Sequence, residues 1–96
     1  MITGLILLTG TNAPQRVGDN SSFFASVTFW GYSGFSNGLP MVNADSVYLG
    51  ASVNALPIEV TAGSTAGITL FDKRKDNLYN YFAAGISGNG IYYMGW

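Results

Sequence analysis

The chain contains no cysteine and no histidine. Without cysteine there is no disulfide, no thiolate nucleophile and no zinc site of the usual kind, and the redox compartment stays open. Without histidine the commonest general base and metal ligand is missing, which excludes Ser/His/Asp and Cys/His catalysis. Charge is nearly as scarce, at 9% of residues where about 25% is usual. Four basic and five acidic residues leave a net charge of −1. That balance supplies neither the field of a nucleic-acid binder nor a polybasic anchor, so neither nucleic acid nor membrane is an expected partner. No apolar run of about 18 residues is present to cross a bilayer as a helix.

What is present is apolar and aromatic, at 48% and 15% of residues, which excludes intrinsic disorder. Ninety-six residues hold one core, so residues 1–96 form a single domain. At 10.2 kDa the folded chain should expose roughly 5,300 Å² and bury roughly 9,500 Å². If about 60% of that burial is apolar it stabilises by ~140 kcal/mol, and ordering the chain costs about the same. The lone chain is therefore marginal, and so little charge implies that protein covers much of its surface.

Thirteen glycines and short β-branched and aromatic segments predict an all-β fold, a single compact antiparallel β-sandwich of about six to seven short strands. Residues 2–9 read as a strand with Ile2, Ile6 and Leu8 on one face and Leu5 and Leu7 on the other, buried on both sides or covered by a neighbour. The opening MITGLILLTG lacks a basic region, so it reads as strand and not as a signal peptide. Residues 10–22 have loop composition. Over 23–30, Phe23, Ala25, Val27 and Phe29 alternate with Phe24, Ser26, Thr28 and Trp30, and the first set is expected in the core. Residues 31–44 read as a long glycine-rich loop around Asn37-Gly38. Further strands are expected over 45–50 with Val47 and Leu49 inward, over 65–71, 78–84 and 91–96, and a short extended piece at LPIEV. A turn falls at Ala62-Gly63-Ser64, a charged connection at DKRKDN, and a tight hairpin turn at Asn89-Gly90 within GISGNG.

The carboxylates Asp19, Asp45, Glu59, Asp72 and Asp76 are the only catalytic material left, and a sandwich this small hardly encloses the cleft that a glycosidase pair needs. Lys73-Arg74-Lys75 is flanked by Asp72 and Asp76 and reads as a solvated turn. Gly85 to Gly90 lacks the Gly-Lys-Ser/Thr of a phosphate loop, and Asp19-Asn20-Ser21 lacks the spaced acids of a calcium loop. No catalytic, cofactor or metal residues are assigned. Six tyrosines with Trp30 and Trp96 favour an interface over a sugar platform, and Phe24, Trp30, Tyr32, Phe35, Tyr81, Tyr92 and Trp96 are the expected interface residues.

From Asp45 onward the order of features is Val47-Tyr48-Leu49-Gly50, Leu56-Pro57-Ile58, Ala62-Gly63-Ser64, Ile68-Thr69-Leu70, Asp72 to Asn77, Leu78-Tyr79 and Gly85 to Gly90. This order resembles the small β-sandwich structural proteins of tailed-phage virions, of the decoration or cement kind. The resemblance spans about half the chain and leaves the first 44 residues outside it. It implies a non-enzymatic bacteriophage virion structural protein, with a capsid decoration protein as the leading expectation. Such a protein oligomerises, here expected as a trimer, and stabilises junctions between subunits of the major capsid protein. Its partners would be that protein or other virion proteins, its location the virion after synthesis in the host cytoplasm, and its cofactors none. The alternatives are a tail, collar or fibre-associated module able to bind a host glycan, and a small carbohydrate-active enzyme or free lectin.

Overall fold

The computed structural model describes residues 1–96 except 20, 37–38, 41–44 and 64–65, and leaves the side chains of 35–36, 39–40 and 72–75 undescribed. Ten strands follow one another: β1 (Ile2–Leu7), β2 (Gly10–Arg16), β3 (Phe23–Tyr32), β4 (Phe35–Ser36), β5 (Leu39–Pro40), β6 (Ser46–Gly50), β7 (Ile58–Thr61), β8 (Ile68–Asn77), β9 (Phe82–Gly85) and β10 (Gly90–Gly95). A 3-10 turn over Leu78–Asn80 precedes β9.

The pairings are nested. β1 pairs with β10, β2 with β9, β3 with β8 and β6 with β7, all antiparallel, as if one long hairpin had been bent double about a β6–β7 tip. Two further pairings, β10 with β3 and β6 with β9, wrap this ribbon into sheets ordered β1-β10-β3-β8 and β2-β9-β6-β7. Two four-stranded sheets made from a coiled double ribbon are a jelly roll. The all-β antiparallel sandwich expected from composition is the fold, with eight strands in its two sheets and a short β4–β5 pair beside them.

Between the sheets lie Phe24, Phe29, Leu49, Leu78, Ile91, Val17, Val27 and Val47, each fully buried. Val47 and Leu49 point inward as their alternation predicts. The sheets close on one another at Gly31, whose carbonyl accepts the Gly63 N–H at 2.9 Å. A Cβ at Gly31 would stand 2.5 Å from the Thr61 carbonyl oxygen, so only glycine lets the two backbones meet there.

Several expectations are corrected. The alternation over 23–30 breaks at a β-bulge: the Trp96 carbonyl accepts the N–H groups of both Ala25 and Ser26, and Trp96 donates back to the Ser26 carbonyl at 2.8 Å. Two residues thus oppose one, and the faces exchange across the bulge. Phe24, expected on the interface face, is in the core at 1% exposure, while Phe23, expected in the core, is 56% exposed. Val27 and Phe29, beyond the bulge, are buried as read.

The loop expected over 10–22 contains β2, made a strand by its pairing with β9 at Gln15↔Ala83 and Arg16↔Phe82. The loop expected over 31–44 includes the end of β3 and the β4–β5 pair, while Asn37-Gly38 itself lies outside the described residues. β8 extends through the DKRKDN segment, but its register against β3 jumps between Phe71 and Asp76. The 78–84 strand is shortened at its start by the 3-10 turn, capped by the Asn77 side chain accepting from the Tyr79 N–H at 3.1 Å. Finally, GISGNG is no hairpin, because β9 and β10 belong to different sheets. Its positive φ falls on Gly88 (+92°), with Asn89 N–H donating to the Ile86 carbonyl at 3.0 Å, which puts glycine at the third position of the turn as type II requires.

Two outcomes follow for stability. Phe24→Ala should cost about 3–5 kcal/mol in urea unfolding, against under about 1 kcal/mol for Phe23→Ala. Gly31→Ala should lower the unfolding midpoint clearly, whereas Gly10→Ala, with nothing within 4 Å of its Cβ, should leave it nearly unchanged.

Candidate functional site

The two sandwich faces that point outward differ in charge. On the β2-β9-β6-β7 sheet, the Arg16 guanidinium lies over the rings of Tyr79 at 3.8 Å and Phe82 at 4.6 Å and donates to the Tyr79 carbonyl. At the opposite edge of this sheet, on β7, Glu59 accepts from the Ser46 hydroxyl at 2.7 Å. This face is polar and its charges are engaged.

The outer face of the β1-β10-β3-β8 sheet carries no charge among its described side chains. Antiparallel register places directly opposed residues on one face, so the face can be read in rows. One row is Leu5, Tyr92 and Trp30; the next is Thr3, Met94, Thr28 and Thr69. The Trp30 and Tyr92 rings pack 5.9 Å apart, and the indole nitrogen of Trp30 lies over Gly67, where a Cβ would approach it to 2.7 Å. Thr28 and Thr69 share a hydroxyl hydrogen bond of 2.8 Å. Leu5, Leu7, Phe71 and Trp96 stand exposed around these rows, Phe71 at 79% and Trp96 at 65%.

Four strands at ~4.8 Å spacing and six residues at ~3.3 Å rise make this face about 400 Å² in projection. A surface of that size without charge on its described side chains is in the range of the largest patch on a typical monomer, which is often the functional one. The chemistry of its described side chains is burial and stacking: fully covering a large apolar side chain is worth about 1.5–3 kcal/mol, and none of them is an ion to be desolvated.

Among the seven residues expected at an interface, Trp30, Tyr92 and Trp96 come together on this face, with the half-buried Tyr32 at its end. Phe24 and Tyr81 do not. Phe24 is core, and Tyr81 packs its ring on Phe24 at 5.9 Å and donates its hydroxyl to Asp76 at 2.7 Å. Phe35 falls in β4, and its side chain is outside the described set. Sequence reasoning left out Thr3, Leu5, Leu7, Met94, Thr28, Thr69 and Phe71. The second apolar face of residues 2–9 was the one signal pointing to them, and it became specific only once β1 was known to pair with β10.

Asp19 and Asp76 each hold a local turn together through several hydrogen bonds. Asp19 accepts from the Ser21 hydroxyl (2.7 Å), the Ser21 N–H (2.9 Å) and the Ser22 hydroxyl (3.0 Å), and these bonds hold its pKa below the usual carboxylate value. Burial pushes Asp76 up, but hydrogen bonds from Tyr81, Asn80 and the Asn77 N–H together outweigh it and leave the pKa lowered. Burial, with the negative charge of Asp19 adding to it, raises the Tyr93 hydroxyl above its ordinary value. Among the described residues no three of His, Cys, Asp and Glu gather as a metal site. No protein-family model, curated protein or solved structure matches the chain.

A pH dependence follows from Asp76. Its folded pKa lies below its unfolded one, so its contribution is fully present above about pH 4 and is lost as pH falls through the folded value. Asp76→Asn should therefore be less stable than the parent near neutrality, and the gap should narrow in acid melts below about pH 4.

Proposed function

We propose that this protein is a non-enzymatic structural subunit of a tailed-phage virion, a decoration or cement protein that holds neighbouring capsid subunits together through the uncharged outer face of its β1-β10-β3-β8 sheet. That face is the observation that carries the reading. A domain whose outer sheet face combines Leu5, Tyr92, Trp30, Met94 and Trp96, with no charge among its described side chains, is suited to lie against another protein.

Three further features support it. Jelly rolls serve in viral capsid domains as well as in lectins, which raises the reading by fold-level analogy alone. Asp19 and Asp76 are occupied with turns and Glu59 with the Ser46 hydroxyl, and the chain has no histidine or cysteine to work with them. The polar opposite sheet, with Arg16 and Glu59, is suited to face solvent once the uncharged one is covered.

The paired rings of Trp30 and Tyr92 favour a second reading, a tail or fibre module that stacks a glycan on them. Labelling the chain in purified particles separates the two. A cement subunit decorates the head surface throughout and its loss lowers particle survival on heating, whereas a tail module labels one vertex and its loss abolishes host attachment. On the first reading, Tyr92→Glu should leave the melt of the isolated chain within about 1 kcal/mol of the parent. The same variant should no longer sediment with particles lacking the native protein.

A further inference from the structure

The four edge strands of the two sheets are not alike. An edge exposes a row of unpaired N–H and C=O groups, and proteins that must stay separate blunt it with proline, charge, bulges or brevity. β2 carries Pro14, a register shift between Gly10 and Gln15, and Arg16. β7 has four residues and an exposed Glu59. β8 jumps register between Phe71 and Asp76, and the sequence Asp72-Lys73-Arg74-Lys75 falls in that interval.

β1 has none of these devices. It runs six residues, Ile-Thr-Gly-Leu-Ile-Leu, with no charge and no proline, and pairs residue for residue with β10 without a shift. Among the described residues no strand pairs with its other side. What such an edge recognises is another extended backbone, by strand addition.

We infer that β1 is an assembly edge and that its occupant is β1 of a second copy, antiparallel across a two-fold axis. The other edges of the two four-stranded sheets are the blunted ones, so among those edges a copy offers β1 its own β1 as the undefended partner. A two-fold contact sets each patch against itself, and β1 has no charge to repel its own image. With the axis normal to the sheet, Thr3, Leu5 and Leu7 of both copies meet on the outer side and Ile2 and Ile6 on the inner side. The two sheets then become one of eight strands, and the uncharged outer faces form one continuous surface. This contact replaces the trimer expected from sequence with a dimer, and it holds whether or not the protein is part of a virion.

The test uses the whole chain, its own lack of cysteine, and sedimentation. The parent should sediment as a dimer. Thr3→Lys and Leu5→Lys, which install the missing edge defence, should give folded monomers, whereas Thr28→Lys, on the same face but on β3, should leave the dimer intact. Cysteine placed at position 3, 5 or 7, singly or in pairwise mixtures, should form a cross-chain disulfide on mild oxidation. Directly paired antiparallel strands bring Cα atoms to about 4.5–5.5 Å, within disulfide reach, while sheets stacked face to face stand about 10 Å apart. A monomeric parent overturns the inference. So does a dimer that Thr28→Lys dissociates, or one in which none of the β1 cysteines cross-links.

Discussion

The constraint on which the structure depends is the nesting of its strand pairs. β1 must find β10, β2 must find β9, and β3 must find β8, so in the two four-stranded sheets every strand except the β6–β7 tip is completed by a segment from the other half of the chain. No half of the sequence can bury its own apolar residues. The core shared by Phe24, Val27 and Phe29 from the first half and Leu78 and Ile91 from the second forms only when the ribbon closes. Such non-local pairing makes closure of long loops precede reward, so slow folding is expected of this topology. It also gathers β1, β10, β3 and β8 into one sheet, and with them the uncharged surface that no single segment displays.

How much of this was legible depends on whether the signal was local. Val47 and Leu49 alternate inward on β6 because nothing interrupts that strand, and Val27 and Phe29 do so on β3 for the same reason. Simple alternation inverts Phe23 and Phe24 because the Trp96 carbonyl, some seventy residues away, accepts two consecutive N–H groups and shifts the pleat by one. The segment GTNAPQR has little strand propensity, and it is a strand through its pairing with β9 and the stacking of Arg16 on Tyr79 and Phe82. In GISGNG the positive φ went to Gly88 and not to Asn89-Gly90, since a chain crossing between sheets needs a different turn from a hairpin. Trp30, Tyr92 and Trp96 were picked out as interface residues by type, but the row joining Trp30 to Tyr92 and Leu5 is set by register alone.

The scarcity of charge becomes intelligible once its placement is known. Arg16 is stacked on two rings, Glu59 is bonded to Ser46, and Asp19 and Asp76 hold turns together. None of these described side chains stands on the outer face of the first sheet. Covering the described side chains of that face loses little, because none of them is an ion. An undefended β1 edge bordering that same face suggests one assembly logic for both, in which backbone pairing extends the sheet and side chains cover it.

The most direct measurement is oxidative footprinting of aromatic and methionine side chains, comparing the isolated chain with the chain bound in the virion particle that the proposed function assigns to it. The account predicts strong protection of Trp30, Tyr92, Met94 and Trp96 in the particle, with Tyr48 and Tyr79, exposed away from that face, labelled as in the free chain. Protection of Tyr48 and Tyr79 with the outer face of the β1 sheet still reactive would contradict it.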